Sequence, residues 1–181
     1  MQEMEKQLEE LKNKLGSMEI KQASNKLSMV VFNGDLDKAL AAFIMATGAV
    51  AMGMEAVMFF TFWGIPLLRD KKKSVKGKDM ISKMFGRMLP KGSDKVNLSK
   101  MNMGGMGKAM IKSLMKKKNV ASLEELMTLA GELDVKIFIC EMSMDLMGFK
   151  REEMFDYPNL TYCGVAKFLE EANNSRVQLF I

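Results

Sequence analysis

From position 27 onward, apolar residues form short β-branched and aromatic runs that alternate with longer stretches of helical periodicity. Such runs, bounded by polar turn residues, are typical of buried strands. The five runs predicted as strands are Leu27–Phe32, Ala56–Phe62, Val135–Ile139, Asn159–Tyr162 and Arg176–Ile181. Helices are predicted between them, over Leu36–Met52, Leu123–Leu133 and from Gly164 to about Asn173. Because strands that alternate with helices form parallel sheets, the pattern predicts an α/β, three-layer sandwich of about five mostly parallel strands with helices on both faces.

The predicted helices carry their own start signals. Asp35 is placed to cap the helix Leu36–Met52, which is apolar almost all round and is therefore expected to be buried. Ser122 and Glu125 have the spacing of a capping box. The last strand, Arg176–Ile181, is expected to end the chain in a buried position. The whole order resembles flavodoxin-like and Rossmann-like sheets, which build their sites where the strands end.

The first 25 residues have a different pattern. Apolar residues recur there in steps of three and four, at Met1, Met4, Leu8, Leu11, Leu15 and Met18. This spacing predicts an amphipathic helix that packs either against a partner chain or against its own domain. Lys21–Asn25 is expected to be a polar linker. The predicted organisation is therefore a helix and linker over residues 1–25 and an α/β domain over residues 26–181.

One apolar stretch, Ala39–Leu68, has the composition of a candidate membrane span, since Glu55 is its only charged residue. The uninterrupted apolar run before Glu55 is about 16 residues, and a helical span needs about 20. A buried helix followed by a buried strand accounts for the stretch better, so membrane contact is not expected. Peripheral membrane association remains the lesser alternative.

A basic insertion interrupts the alternation over residues 66–118. Of the chain's 27 basic residues, 16 lie from Arg69 to Lys118, against 3 of its 22 acidic residues. Short helices are predicted near Asp79–Met88 and over Lys108–Lys117. The glycines of residues 102–107 do not form a phosphate loop, because Asn102 and Ala109 replace the glycine and the hydroxyl residue that the motif requires. The insertion is either a flap that meets an anionic partner or a solvated loop, and its shortage of aromatic residues argues against nucleic-acid binding.

The composition excludes several kinds of chemistry. The chain has no histidine, so Ser-His, Cys-His and histidine metal sites are absent from it. Two cysteines are too few for a disulfide framework or a structural zinc site, which favours a reducing, cytoplasmic setting. No metal and no cofactor is predicted. The 21 methionines form part of the core or a soft, adaptable surface.

The strand ends supply the candidate site, because the carboxyl ends of parallel strands lie along one edge. Cys140 follows a predicted strand and precedes a short helix, where helix N–H groups favour a thiolate; the alternative is a buried, inert side chain. Cys163 ends the next strand, either close enough to Cys140 for a disulfide or as a small buried residue. The candidate pocket residues at the same edge are Asn33, Gly34, Asp35, Thr61, Phe62, Trp63, Met142, Ser143, Met144 and Gly164.

Four segments carry a resemblance to a known family. They are Leu27–Asp37 (LSMVVFNGDLD), Ala56–Gly64 (AVMFFTFWG), Met103–Gly107 (MGGMG) and Cys140–Gly148 (CEMSMDLMG). They resemble the DsrE/DsrF-like family, and more narrowly its peroxiredoxin-annotated branch with the C-x-MSMDLMG signature. The resemblance covers residues 26–181 and implies an α/β sandwich that assembles as a homotrimer or larger oligomer.

The resemblance also implies a function. Members traffic sulfur, and the family's cysteine, which falls on Cys140, carries it as a persulfide. Rhodanese-type or TusA-like proteins are the implied sulfur donors and acceptors. Cys163 falls where relatives are expected to have glycine, so the resemblance gives it no role. The alternatives are a non-catalytic oligomeric interaction module and a thiol peroxidase-like protein that uses the same Cys140, with Cys163 as a possible resolving thiol.

Overall fold

The computed structural model describes residues 4–10, 24–75 and 78–181. Residues 4–10 form a helix, α1, on which Met4 and Leu8 are exposed. The other positions of the predicted amphipathic pattern, Met1, Leu11, Leu15 and Met18, lie outside the described residues. The predicted linker ends too late, because the first strand already begins at Ser24, where its backbone N–H donates to the carbonyl of Asn174.

Five strands form one parallel sheet in the order β4-β3-β2-β1-β5. The strands are β1 Ser24–Val31, β2 Glu55–Phe60, β3 Lys136–Cys140, β4 Leu160–Cys163 and β5 Ser175–Phe180. The helices are α2 Leu36–Ala51, α3 Met80–Met88, α4 Met106–Lys117, α5 Leu123–Glu132, α6 Glu141–Leu146 and α7 Val165–Asn173. The predicted α/β fold is confirmed, together with the presence of an N-terminal helix.

Alternating side chains divide the core between the two faces of the sheet. On one face, Met58 and Ile137 pack in a cluster with Phe43 of α2 and Leu126 of α5. On the other face, residues of β2, β3 and β4 pack against Phe168 and Ala172 of α7. The sheet is therefore the middle of three layers, and within the described ranges α7 covers its second face.

The chain passes from β2 into the basic insertion through a turn that the sequence did not predict. The chain leaves β2 at Thr61, and a 3-10 helix spans Phe62–Leu68, so Phe62 is not a strand residue. Phe62 has a φ of 43°. Further along the insertion, the Asp79 side chain accepts from the backbone N–H groups of Ile81 and Ser82 and caps α3. No residue of α3 is buried.

Four further predictions on these elements had different outcomes. Helix α2 is not buried all round, since the Ile44 side chain is exposed, and Asp35 makes no side-chain cap bond although it holds the N-cap position. Strand β5 lies at the sheet edge, and Phe180 is 71% exposed. The capping box of α5 is present, with Ser122 and Glu125 bonded reciprocally.

Within the described parts of the chain, no helix combines the length and apolar character of a membrane span.

Candidate functional site

The two cysteines lie side by side at the carboxyl edge of the sheet. Cys140 is the last residue of β3, Cys163 is the last residue of β4, and their Cα atoms are register partners. Because the strands are parallel and in register, both side chains point to the face that α7 covers. Both are free thiols, with 3% of Cys140 and 9% of Cys163 exposed.

Apolar and aromatic side chains surround this thiol pair. Phe59 of β2 and Phe168 of α7 stack with their ring centroids 4.9 Å apart, in the same cluster as both cysteines. Burial raises the pKa of the Cys163 thiol, and the proximity of Cys140 and Glu141 shifts it in the same direction, whereas Lys167 lowers it. Cys163 is therefore a neutral thiol at neutral pH, which suits its dry surroundings.

The helix after Cys140 is shorter than the thiolate hypothesis needs. Cys140 holds the N-cap position of α6, but its side chain makes no capping hydrogen bond. Helix α6 has six residues and aligns few peptide dipoles. The predicted electrostatic activation by this helix is correspondingly weak, so the case for Cys140 depends on its position at the strand end.

A charged pair beside Cys140 was not foreseen. The Arg151 guanidinium pairs with the Glu141 carboxylate and also lies over the Tyr162 ring, 4.7 Å from its centroid. The Arg151 and Glu141 side chains are 60% and 41% exposed, so the pair adds little to stability. It does place a compensating positive charge next to the one carboxylate adjacent to Cys140 in sequence. No periodic pattern or motif links Arg151 to this position, so the pair has no signal in the sequence.

A buried hydroxyl pair fixes α6 against the end of β2. The Thr61 and Ser143 side-chain oxygens lie 2.8 Å apart, with Ser143 fully buried and Thr61 8% exposed. Met144 is also buried, at 4%. By contrast, Met142 is 59% exposed, and Gly164 at the start of α7 is exposed as well. The buried members of the predicted site therefore hold the edge of the sheet in place, and the exposed members form its surface.

Four of the five remaining predicted residues line a neighbouring cavity of about 200 Å³. Asn33, Gly34, Asp35 and Trp63 line it, and residues of the basic insertion, including Leu89 and Pro90, form the other wall. The Asn33 side chain accepts from the Asp35 N–H at 3.0 Å. Neither cysteine lines this cavity. Four of the ten candidate pocket residues therefore line a separate cavity and do not share a pocket with the cysteines.

Close backbone contacts set the shape of that cavity. A Cβ atom on Gly34 would lie 2.6 Å from the Trp63 carbonyl oxygen, and one on Gly64 would lie 2.3 Å from the Val31 carbonyl oxygen. Only glycine allows the turns after β1 and β2 to approach so closely. Phe62 completes this corner, with its ring 5.5 Å from that of Phe32.

The sequence also does not predict which aromatic side chains enclose the thiols. Phe59 was assigned only to a strand and Phe168 only to a helix. The register of β3 with β4 and the position of α7 bring them to the cysteines, and no short-range pattern encodes either. In the described part of the chain, no three His, Cys, Asp or Glu side chains are grouped as a metal site.

Comparisons with known proteins match the chain to a family model and to the two relatives described here. A family model described as DsrE/DsrF/DrsH-like matches residues 23–180. An uncharacterized protein YrkE of Bacillus subtilis is 46% identical over 158 residues, covering 87% of this chain and 98% of the relative. The sulfur carrier protein DsrE2 of Allochromatium vinosum is 39% identical over 160 residues, covering 86% of this chain and 98% of the relative.

Proposed function

We propose that this chain, which belongs to the DsrE/DsrF/DrsH-like family, traffics sulfur by carrying a sulfane sulfur as a persulfide on Cys140. The observation that supports this most directly is the position of Cys140 at the carboxyl end of β3, an interior strand of the sheet, where parallel α/β sheets place their reactive groups. The 39% identity to a sulfur carrier protein supports the same class of function.

The chemistry needs one accessible thiolate and no metal. The Cys140 thiolate attacks the outer sulfur of a donor persulfide, the donor S–S bond breaks, and the donor leaves as a thiolate. Cys140 then holds the sulfur as a persulfide. In the second half of the cycle, an acceptor thiolate attacks that outer sulfur, and Cys140 leaves as the thiolate that began the cycle.

The burial of Cys140 defines what loading requires. With 3% of the residue exposed, a donor reaches the thiol only after a local movement at the edge. Met142 and Gly164 are exposed beside the two cysteines in sequence, whereas the Thr61–Ser143 pair anchors the buried side of α6. We expect the movement to occur at the exposed side. A buried persulfide is then shielded from solvent thiols between loading and delivery.

The donors and acceptors that fit this role are other sulfur-transfer proteins, of the rhodanese or TusA-like type. We propose a cytoplasmic homo-oligomer as the working form. The exposed Met142 and Val165, each two residues after a cysteine, are apolar surface that such protein contacts would cover.

Mass analysis of the folded protein tests the proposal. The protein is treated with a low-molecular-weight persulfide donor, and its intact mass is measured after alkylation. We expect Cys163→Ser to gain the mass of one sulfur atom and Cys140→Ser to gain none. An equal gain in both variants, or a gain only after unfolding, would contradict the assignment of Cys140.

The second candidate is a non-catalytic interaction module, which the burial of both thiols favours. In that case Cys140 is a core residue and the exposed side chains of the basic insertion make the contacts. The rate at which Cys140 is alkylated distinguishes the two. Alkylation limited by global unfolding supports the module, and faster alkylation supports the carrier.

A further inference from the structure

The proposed function uses one thiol, yet the fold presents two in register. Neighbouring parallel strands lie about 4.8 Å apart, and disulfides join Cα atoms about 4.4–6.8 Å apart. Cys140 and Cys163 are Cα partners on such strands and lie on the same face. Both are free. The backbone therefore holds the second thiol within bonding range of whatever group forms on the first.

We propose that Cys163 is a resolving thiol that discharges the Cys140 persulfide as sulfide when no acceptor is present. This gives the chain a sulfide-releasing activity in addition to sulfur transfer. The inference rests on the proposed function, because it requires the persulfide to form. It concerns a residue to which the family resemblance gives no role.

The step balances without any further reactant. The Cys163 thiolate attacks the Sγ atom of the Cys140 persulfide, a Cys140–Cys163 disulfide forms, and the bond between Cys140 Sγ and the outer sulfur breaks. The outer sulfur leaves as hydrosulfide, which takes up the proton that the Cys163 thiol gave up. The sulfane sulfur is reduced, and the two cysteines are oxidised to a disulfide. A dithiol reductant returns the pair to its starting state by thiol–disulfide exchange.

The surroundings of Cys163 make this a slow route. Since burial raises the pKa of the Cys163 thiol, little of it is thiolate at neutral pH. Cys140 and Glu141 on the β3–α6 side oppose its ionisation, and Lys167 on α7 favours it. An external acceptor with an ordinary thiol pKa therefore competes well for the sulfur. Without an acceptor, the intramolecular thiol has the advantage of proximity.

A single-turnover assay tests the inference. Wild-type and Cys163→Ser proteins are loaded with the low-molecular-weight persulfide donor, freed of donor, and held without acceptor. Released sulfide is trapped with a fluorogenic alkylating agent, and the intact mass of the non-reduced monomer is followed. We expect the wild type to release one sulfide per loaded chain and to form an internal disulfide, while Cys163→Ser keeps its persulfide roughly tenfold longer or more.

Each outcome of the assay decides something different. Equal sulfide release from both proteins, with no internal disulfide in the wild type, would overturn this inference and leave the proposed function intact. Failure of folded Cys163→Ser to load would overturn the proposed function and this inference with it. Oxidation of the unloaded wild type with diamide is a second measurement that does not depend on loading. An internal disulfide in the native monomer supports the geometry, and persistent free thiols contradict it.

Discussion

At the carboxyl edge of the sheet, Thr61, Cys140 and Ser143 are each at most 8% exposed, and every one of them contacts a neighbouring strand or helix. On α3, in the basic insertion, Met80 and Met88 are 85% and 74% exposed, and no residue of the helix is buried. Both regions are rich in methionine, so composition does not distinguish them. What distinguishes them is the number of elements that converge on each position.

The insertion is nonetheless anchored at its base. Arg69 is 4% exposed, and its guanidinium donates to the carbonyls of Gly86 and Pro90 and pairs with the buried Glu153 at 3.3 Å. Lys78 pairs with the same carboxylate, and Arg69 also lies over the Phe149 ring at 4.6 Å. We therefore expect the insertion to tolerate change on its outer face and not at this buried ion cluster of Arg69, Lys78 and Glu153.

The largest effect is expected from Glu153→Gln, which leaves two buried cations without their carboxylate. Removing one partner of a buried ion pair typically costs about 3–5 kcal/mol. Urea unfolding followed by circular dichroism measures it, with exposed Glu152→Gln as the matched control. A loss as small as that of Glu152→Gln would mean that the ion cluster does not anchor the insertion.

A large effect is also expected from Gly64→Ala at the carboxyl edge. The new Cβ would lie 2.3 Å from the Val31 carbonyl oxygen, so the backbone of one turn must move. We expect a loss of about 2–3 kcal/mol, as for other overpacked sites. Gly48→Ala in α2 is the control, because its Cβ meets nothing within 4 Å, and it should stabilise by roughly 0.5–1 kcal/mol. Similar unfolding midpoints for the two variants would refute the close packing at the edge.

An intermediate effect is expected from Thr61→Val, which leaves the buried Ser143 hydroxyl without its partner. Such a loss costs about 1–3 kcal/mol. Exposed Thr161→Val is the control. In a double-mutant cycle with Ser143→Ala, the second substitution should cost much less once the first is present. Strict additivity would show that the two hydroxyls are not coupled.

A smaller effect is expected from the ionisation of Cys163. Because its pKa is raised in the folded protein, the unfolded chain loses the thiol proton first, and unfolding becomes easier as the pH rises above the ordinary thiol range. Below that range the contribution is constant. Comparing wild type with Cys163→Ser over this pH range measures it. If the free energies of unfolding of the two proteins changed with pH in the same way, the raised pKa of Cys163 would be contradicted.

The smallest effect is expected on the outer face of α3. Met84→Gln changes a side chain that is 49% exposed, and its effect on the free energy of unfolding should stay within about 0.5 kcal/mol. Met144→Gln, at a position 4% exposed in α6, is the matched buried case and should cost several times more. Equal losses in the free energy of unfolding would contradict the proposed difference between the two regions.

The number of elements that converge on a position also explains which features could be predicted from the sequence. The strands and helices followed from strong local periodicity, and the capping box of α5 followed from the spacing of Ser122 and Glu125. The position of Cys140 at a strand end followed from the same pattern. Errors arose where tertiary contacts decide. The exposure of β5 depends on its place at the sheet edge, and the turn at Phe62 depends on the close approach that Gly64 allows.

The site was predictable only in part for a similar reason. In a parallel sheet the carboxyl ends of all strands lie at one edge, so this feature of the site could be predicted. Which of them meet depends on strand order, which local sequence does not carry. The order β4-β3 pairs the two cysteines, and the approach of Leu89 and Pro90 closes a separate cavity around Asn33 and Trp63. The pairing of Arg151 with Glu141 depends on the loop after α6 and has no signal of its own.

The most direct test of the account is whether Cys140 completes a carrier cycle. Cys163→Ser protein loaded with isotopically labelled sulfane sulfur is mixed, in its folded form, with an acceptor that has one reactive thiol, and both masses are followed with time. If Cys140 is the carrier residue, the label leaves Cys140 and appears on the acceptor in equal amount, and Cys140→Ser neither gains nor passes any label. Label that stays on the loaded protein, or reaches the acceptor equally well from Cys140→Ser, would contradict it.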